Sequence, residues 1–477
     1  MRSTFLGLET ARKGLSANQK GLDVTGQNIT NVNTEGYTRQ RIDTVSVSSV
    51  TNSRIRELGT SSVGQGVLVS GISQIRDKQL DIRFRSEMGD TAYYDKTLSI
   101  LDGIESIVNE LGSGIQPILS DFVSALQDLS VSPDQATNAN IVLSNAKSMT
   151  QILRQYSSQF DQLKSQYASD LIIDVENTNT LINKISELNT AISNELGQST
   201  SELDTSNVNE LLDKRNVLMD QLSQYGNISV SENLDGSVNI SFNEHVVLSN
   251  KFVEQINLIK SSDNSINLTW QSTGQSIILG SGTLKASLDF MNGDGGEING
   301  IPYYQKQLDT LAIRFAEILN TSLIDTNDDY KKLIEIDDTN PAHSITIHED
   351  WINKASYIID NLKNQGTLDN TPILSIISKL EGKNTLGTFV GSLSDFVTSY
   401  VTTLGQDKSY YESRYEVSGS ITDDLQNRRD SVSAVSLDEE GANLMLYDKA
   451  YKAVSRLMTA MDEFLDVLIN KTGLIGR

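Results

Sequence analysis

The sequence predicts a mainly α fold with small β. Long helices from both chain termini pair in a coiled-coil-like bundle, with a β-containing middle domain and an inserted segment. Three observations predict this. Apolar residues recur every seven positions in the first 35 and the last 41 residues, as coiled-coil a and d rows do. Neither glycine nor proline occurs between Pro133 and Gly197, which permits a very long helix there. Between 227 and 285 the apolar period falls to two, the mark of strands.

In the first segment Leu8, Leu15, Leu22 and Ile29 form the a row, and Ala11, Asn18, Thr25 and Val32 the d row. That seam is half apolar and weak for an isolated pair. Gly7, Gly14 and Gly21 keep the same period beside it. Glycine costs helix propensity but lets a partner approach closely. The helix is predicted to stop at Gly36. Short strands follow in 38–76, where Ile42, Val45, Val47, Val67 and Val69 sit among Gly, Ser and Thr.

Helical spacing resumes from Asp77 through Tyr94, Leu101, Val108 and Leu111, and Gly112 and Gly114 are predicted to break it. A further helix carries Ile118, Phe122, Ala125 and Leu129 up to Pro133. Beyond it, Met149, Ile152, Tyr156, Phe160 and later Ile182, Ile185 and Ile192 keep 3/4 spacing. One helix of roughly 55 residues would reach about 80 Å at ~1.5 Å per residue, so the subunit reads as rod-like. A shorter helix occupies 207–224. Ile228 and Val230, the Asp235–Gly236 turn, and Val238, Ile240 and Phe242 predict a hairpin. Val253, Ile256 and Leu258 with Ile266, Leu268 and Trp270 predict a second one around 262–265. Helix returns over 303–323.

Residues 325–385 read as an insertion with a polar start, one short strand at Ile345 and Ile347, and two short helices. It carries no part of either heptad, so it is expected to be separable from the rest. From about Leu386 helix runs on through Phe389, Leu393, Phe396, Tyr400 and Leu404. The last segment has Leu437, Leu444, Tyr451, Met458 and Leu465 as its a row, and Glu440, Tyr447, Val454, Met461 and Leu468 as its d row. Glu440 is the one misfit. Ser436 is the predicted N-cap, with Glu439 completing a capping box. Neither terminal helix can be stable alone, so the two heptad segments are predicted to pair with each other. The predicted domains are 1–36 with 437–477, a long-helix rod of 37–226 with 386–436, a β unit with its returning helix at 227–324, and the 325–385 insertion.

The net charge of −23 argues against nucleic-acid binding. It is uneven: residues 1–56 hold eight Lys/Arg and four Asp/Glu, net +4, which leaves −27 for the remainder. The basic start either meets an acidic partner or is a solvated helix face. The chain has no cysteine, which excludes thiol catalysis, thiolate metal sites and disulfides. No secretory signal is read at the N-terminus, where Glu9, Arg12, Lys13 and Asn18 interrupt any apolar core. No run of 18 apolar residues occurs, so no membrane insertion is expected. His348-Glu349 lacks the second histidine of a zinc-protease motif. Asn292 to Gly300 (NGDGGEING) fits neither a dinucleotide site nor an EF-hand and reads as a surface loop. No catalytic residues, metal ligands or cofactors are predicted, and the chain does not read as an enzyme.

Residues 28–40, NITNVNTEGYTRQ, resemble the N-terminal signature of the flagellar rod, hook and hook-associated axial proteins. Thr25-Gly26-Gln27 and Glu35 depart from that signature, Glu35 standing where proline is usual. Residues 63–76 (VGQGVLVSGISQIR), 209–222 (NELLDKRNVLMDQL) and 429–468 are further stretches similar to the family. The chain length and the 209–222 stretch favour the hook-associated branch that joins hook to filament. A hook-associated protein 3 type, or a secreted axial-scaffold protein with an active or adhesive insertion, are the alternatives.

The resemblance implies a structural subunit of the bacterial flagellum, exported unfolded by the flagellar type III apparatus and located outside the cell at the hook–filament junction. It implies terminal helices lining a tube and middle domains facing outward. The partners it implies are copies of the chain in a helical ring, the hook protein, hook-associated protein 3, and a flagellar export chaperone. The expected assembly residues are Leu8, Leu15, Leu22, Ile29, Asn31, Asn33, Gly36, Tyr37, Leu437, Leu444, Tyr451, Val454, Met458, Met461, Leu465 and Leu468. Leu444, Tyr451, Met458 and Leu465 are also the expected chaperone anchors.

Overall fold

The computed structural model describes residues 4–47, 64–198, 206–249, 252–261, 265–325, 327, 329–360 and 370–471. Helix α1 spans Thr4–Thr30 and stops short of Gly36. The hydroxyl of Thr30 and the carboxamide of Asn31 donate to the carbonyls of Gly26 and Gln27. They add to backbone donation at the helix end, where Asn31 N–H also reaches Gln27 O at 3.1 Å. Gly36 instead takes φ +75° in the turn that follows. Strands β1 (Gln40–Ser46) and β2 (Val67–Gln74) form an antiparallel ribbon with a bulge between Asp43 and Thr44.

Helix α2, Lys78–Val131, starts at Asp77, whose carboxylate accepts the N–H of Gln79 at 2.9 Å and of Leu80 at 3.4 Å. It runs unbroken through Gly112, Gly114 and Pro117, against the sequence expectation. The reason lies in helix α3 (Ala136–Gln198), packed antiparallel against it. Tyr156 donates to Glu110 O and Tyr167 to Ser99 O, each at 2.8 Å. A Cβ at Gly114 would lie 2.5 Å from the Tyr156 hydroxyl, and one at Gly103 2.9 Å from that of Tyr167. The glycines make room for these tyrosines, and fully buried Leu111 and Ile115 hold the segment helical. That packing outweighs the ~1 kcal/mol each glycine costs a helix. Helix α3 has 63 residues, about 95 Å at ~1.5 Å rise. Helix α4, Ser206–Ser223, packs back on it.

Strands β3 (Ile228–Glu232), β4 (Val238–Phe242), β5 (His245–Ser249) and β6 (Phe252–Val253) form one antiparallel sheet in that order. Strands β7 (Ile256–Lys260) and β8 (Ile266–Trp270) form a separate hairpin. Val253 was expected in that hairpin but closes the first sheet. A tight turn at Asn243 and Glu244, both at positive φ, joins β4 to β5. Residues 262–264 of the second predicted turn lie outside the described residues.

Helices α5 (Thr283–Asn292) and α6 (Ile301–Asn320) flank the glycine-rich loop. Among the described residues no group of acids and histidines there or elsewhere is arranged to hold a metal ion. No described helix is long and apolar enough to cross a membrane.

The 325–385 segment contains strands β9 (Ile334–Glu335) and β10 (Thr346–Ile347), paired antiparallel, and helices α7 (Pro341–Ser344), α8 (Glu349–Asn353) and α9 (Thr371–Glu381). It is not a separable appendage. Leu333, Ile334, Ile345, Trp351, Ile358 and Ile376 are fully buried in the same apolar core as Phe122 and Phe315. Short strands β11 (Asn384–Leu386) and β12 (Phe389–Gly391) follow, so Phe389 is not helical as expected. Ser392 and Asp395 form a capping box that starts α10, Leu393–Ser433. After a break at 434–436, α11 spans Leu437–Asp466 and continues as a π turn, Val467–Lys471.

One device recurs across the fold. A helix asparagine places its carboxamide against both backbone groups of the first residue of a strand. Asn179 does so with Ile256, Asn189 with Val238, Asn292 with Ile266, Asn320 with Ile334 and Asn28 with Gln40, all within 2.8–3.1 Å. Each satisfies a strand-end donor and acceptor that no neighbouring strand reaches.

Candidate assembly interface

The apolar core runs from Ile100 of α2 to Leu404 of α10 and leaves out α1 and α11. Those two helices pack on each other as a separate antiparallel pair. Their contact surface is not the leucine row. A Cβ at Gly7 would lie 3.0 Å from Met461, one at Gly14 3.6 Å from Val454, and one at Gly21 2.7 Å from the Tyr447 ring. The d row of α11 therefore seats into the glycine row of α1, at seven-residue steps along both helices. Large side chains fit only where the facing residue has none.

Leu8, Leu15, Leu22 and Ile29 flank this seam half-buried. Tyr451, Met458 and Leu465 are also half-buried, whereas Leu437 is 55%, Leu444 41% and Leu468 50% exposed. So the structure sets Val454 and Met461 on the glycines, with Tyr451, Met458 and Leu465 half-buried beside them and Leu437 and Leu444 exposed. Tyr447, absent from the expected set, is its largest contributor.

The seam ends in a polar node. Opposite Asn28, one step beyond Gly21, stands Glu440, 1% exposed. The Asn28 carboxamide donates to Glu440 at 3.1 Å and to Gln40 O at 2.9 Å. Its oxygen accepts from Gln40 N at 3.0 Å and from the Tyr37 hydroxyl at 2.8 Å. Arg39 donates to Glu440 at 2.8 Å and also pairs with Glu439. Glu439 thus spends its side chain on Arg39, while Ser436 accepts its N–H as N-cap. Burial pushes the Tyr37 hydroxyl up to about 12, with Asp213 and Glu440 adding to the effect. Gly36 abuts Val217, Asn31 closes its own helix end, and Asn33 is exposed.

The node extends into α4. Asp213 accepts the N–H of Thr38 at 3.2 Å and the carboxamide of Gln74 at 2.8 Å. Asn209 donates to Gln40 at 3.2 Å and to Ile72 O at 3.1 Å. Beside it runs an alternating row of charges. Arg76 pairs with Asp81 at 2.5 Å, Asp81 with Arg429 at 3.0 Å, Arg429 with Asp220 at 2.7 Å, and Asp220 with Arg85 at 2.6 Å. The Arg429 guanidinium also lies 4.1 Å from the Phe84 ring centre. Residues from four stretches far apart in sequence, 28–40, 64–76, 209–222 and 429–440, thus meet at one place, where the terminal pair joins the long helices. Sequence reasoning named Tyr37 and Gly36 but missed Asn28, Arg39, Gln40, Asp81, Asp213, Arg429 and Glu440. One signal was available: Glu440 is a charge at a heptad position that ought to be apolar.

Burial raises the Asp213 carboxyl to about 6, although Thr38, Gln74 and Arg76 pull the other way. A raised native pKa means that the folded chain takes up this proton before the unfolded one. The resulting contribution is complete below the unfolded carboxylate pKa of about 4 and is lost as pH rises through about 6. The rise to about 6 bounds it at ~3 kcal/mol. The stability of the native chain relative to Asp213→Asn should therefore fall between pH 4 and 7. Urea midpoints of both proteins across that range measure it, and a flat difference would refute it.

A cleft of about 690 Å³ opens between the turn after α1 and helices α3 and α4, lined by Tyr37, Leu188, Lys214 and Val217 among others.

Residues 101–324 match the family described as the flagellar hook-associated protein FlgK helical domain, and residues 8–38 the flagella basal body rod protein family. Flagellar hook-associated protein 1 of Bacillus subtilis is 28% identical, the match covering 100% of both chains. Its counterpart in Escherichia coli is 22% identical over 97% of this chain and 99% of that protein. The flagellar hook junction protein FlgK of Burkholderia pseudomallei has the same fold, with a TM-score of 0.63 at 12% identity, over 74% of this chain and 100% of that one. A helical core of the matching kind, a rod-type N-terminal segment and relatives aligned from end to end place this chain in one group: it belongs to the flagellar hook-associated proteins, structural components of the bacterial flagellum.

Proposed function

We propose that the chain forms the joint between hook and filament. The end-to-end match with flagellar hook-associated protein 1 relatives carries this reading. The geometry supports it. The α1/α11 pair buries its glycine seam internally and leaves Leu437, Leu444, Phe464 and Leu468 exposed. Apolar side chains exposed on more than one side of α11 need cover from another chain. In this reading the residues 1–36 and 437–477 form the inner layer of a ring of identical subunits. The hook protein lies on one side of that ring and hook-associated protein 3 on the other. Export proceeds through the type III apparatus with a chaperone on the α11 stripe. The role is structural rather than enzymatic. A deletion strain tests it: hooks should remain, motility should be lost, and flagellin should appear unpolymerised in the medium. Filaments of normal length on the deletion strain would overturn the assignment.

The α11 stripe makes a sharper prediction. Leu444 lies outside the intramolecular seam and Leu465 flanks it, so the Leu444→Asp/Leu465→Asp pair should leave the α2–α10 core intact. Charge placed on an interface that must be desolvated costs several kcal/mol. Chaperone binding by calorimetry and filament attachment should be lost together. Normal chaperone binding without filament attachment would show that the two tasks use different faces.

A further inference from the structure

We infer that Asn28 and Glu440 form a register lock for the terminal helix pair. The apolar part of the seam does not define its own alignment. Gly7, Gly14 and Gly21 face Met461, Val454 and Tyr447 at identical seven-residue steps. Sliding one helix by one step, about 10.5 Å at ~1.5 Å per residue, again sets large side chains on glycines. In one direction Gly14 meets Tyr447 and Gly7 meets Val454. In the other Gly14 meets Met461 and Gly21 meets Val454. The first slip keeps two large-on-glycine contacts, and the second sets Leu468 on Gly7 as well.

The node is what a slip breaks. Glu440 is buried and shared between Asn28 at 3.1 Å and Arg39 at 2.8 Å. In the first slip Glu440 sits against Gly21, which offers no side-chain donor. In the second it faces the turn at Glu35, an acid against an acid, while Asn28 meets the Tyr447 ring. A buried carboxylate without a partner is strongly disfavoured. One buried polar pair in an otherwise permissive seam specifies alignment, as a single asparagine does in coiled coils. Asn28 also clasps Gln40 N and O and receives the Tyr37 hydroxyl, so the lock is anchored to β1 rather than to α1 alone. The seam supplies adhesion, and the node supplies its unique alignment. This reading stands on the geometry of the pair and does not depend on which flagellar joint the chain occupies.

The absence of cysteine makes the register directly readable. Full-length chains carrying Gly14→Cys with Val454→Cys report the native alignment. Gly14→Cys with Tyr447→Cys, or with Met461→Cys, reports the two slips. A Cβ at Gly14 fits without displacing its neighbour. Each pair is equilibrated in glutathione buffer and the cross-linked fraction measured by intact mass. With the lock present, the native pair should exceed either slipped pair by about tenfold or more, the penalty of an unpartnered buried charge. In the Asn28→Leu/Glu440→Leu background, the ratio should fall to within about threefold, because both slips then cost little. Glu440→Gln, which keeps a partner for Asn28, should retain the native preference.

An unchanged ratio in the Leu/Leu background overturns the lock, as do slipped cross-links that rival the native one in the unaltered chain. Should the Leu/Leu chain fail to fold, Asn28→Asp sets two carboxylates face to face and must raise the slipped cross-links. An unchanged ratio there overturns the proposal equally.

Discussion

Replacing Asp81 by Ala should cost the native state about 3–5 kcal/mol, a large share of a typical domain's stability. Asp81 sits between Arg76 at 2.5 Å and Arg429 at 3.0 Å, in side chains that expose at most 16% of their surface. The row Arg76, Asp81, Arg429, Asp220, Arg85 holds three cations and two carboxylates. Removing one carboxylate leaves a surplus of two positive charges, all of them buried or nearly so. Arg76 and Arg429 then keep the desolvation cost without the partner that offsets it. The exposed pair Arg428–Asp424, at 62% and 59% exposure, is the control, since such surface pairs contribute at most ~1 kcal/mol. Urea unfolding of Asp81→Ala and Asp424→Ala side by side decides the matter. Equal midpoints would mean that the row is solvated in solution and does not hold α2, α4 and α10 together.

The second large effect concerns the 325–385 segment. Trp351 is fully buried against the same core as Phe315 and Phe122. Trp351→Ala should cost about 3–5 kcal/mol through lost burial and the cavity left behind. Trimming the whole segment to a short linker should do worse. It removes the cover from α6, exposes Phe315 and Leu319, and leaves Asn320 without the Ile334 backbone it clasps. The expected result is an aggregation-prone chain that fails in export or assembly. The chain has two tryptophans, so Trp270 remains as a fluorescent reporter in the Trp351 variant. A trimmed chain that unfolds cooperatively at the wild-type midpoint would show that the segment is an appendage after all.

That segment also marks where sequence reading stopped. Its polar start and short apolar runs look like an insertion because local pattern says nothing about what an element packs against. The short strand at Ile345 and Ile347 and the two short helices are legible in the sequence, but runs this short do not show which larger face they pack against. Leu333, Ile345 and Ile376 are core residues because α3 and α6 present an apolar face at that level. The unbroken α2 is a similar case. Gly112, Gly114 and Pro117 are helix breakers by propensity, yet Tyr156 needs the space at Gly114, and the buried stripe on either side keeps the helix continuous.

What the sequence determined by itself was whatever repeats locally: the heptads at both ends, the long glycine-free helix, the period-two strands and the Asp235–Gly236 turn. Those patterns arise from side chains a few residues apart, so a one-dimensional reading recovers them. Only the tertiary structure decided which row of the α11 heptad faces the glycines. Leu444 and Leu8 look like seam residues by size, but Tyr447, Val454 and Met461 are the ones that meet glycines. It also decided that Glu440, an apparent flaw in the heptad, holds the node together with Asn28 and Arg39. The reason is physical: a buried charge is tolerable only where distant segments bring partners to it. Here the partners come from the opposite end of the chain.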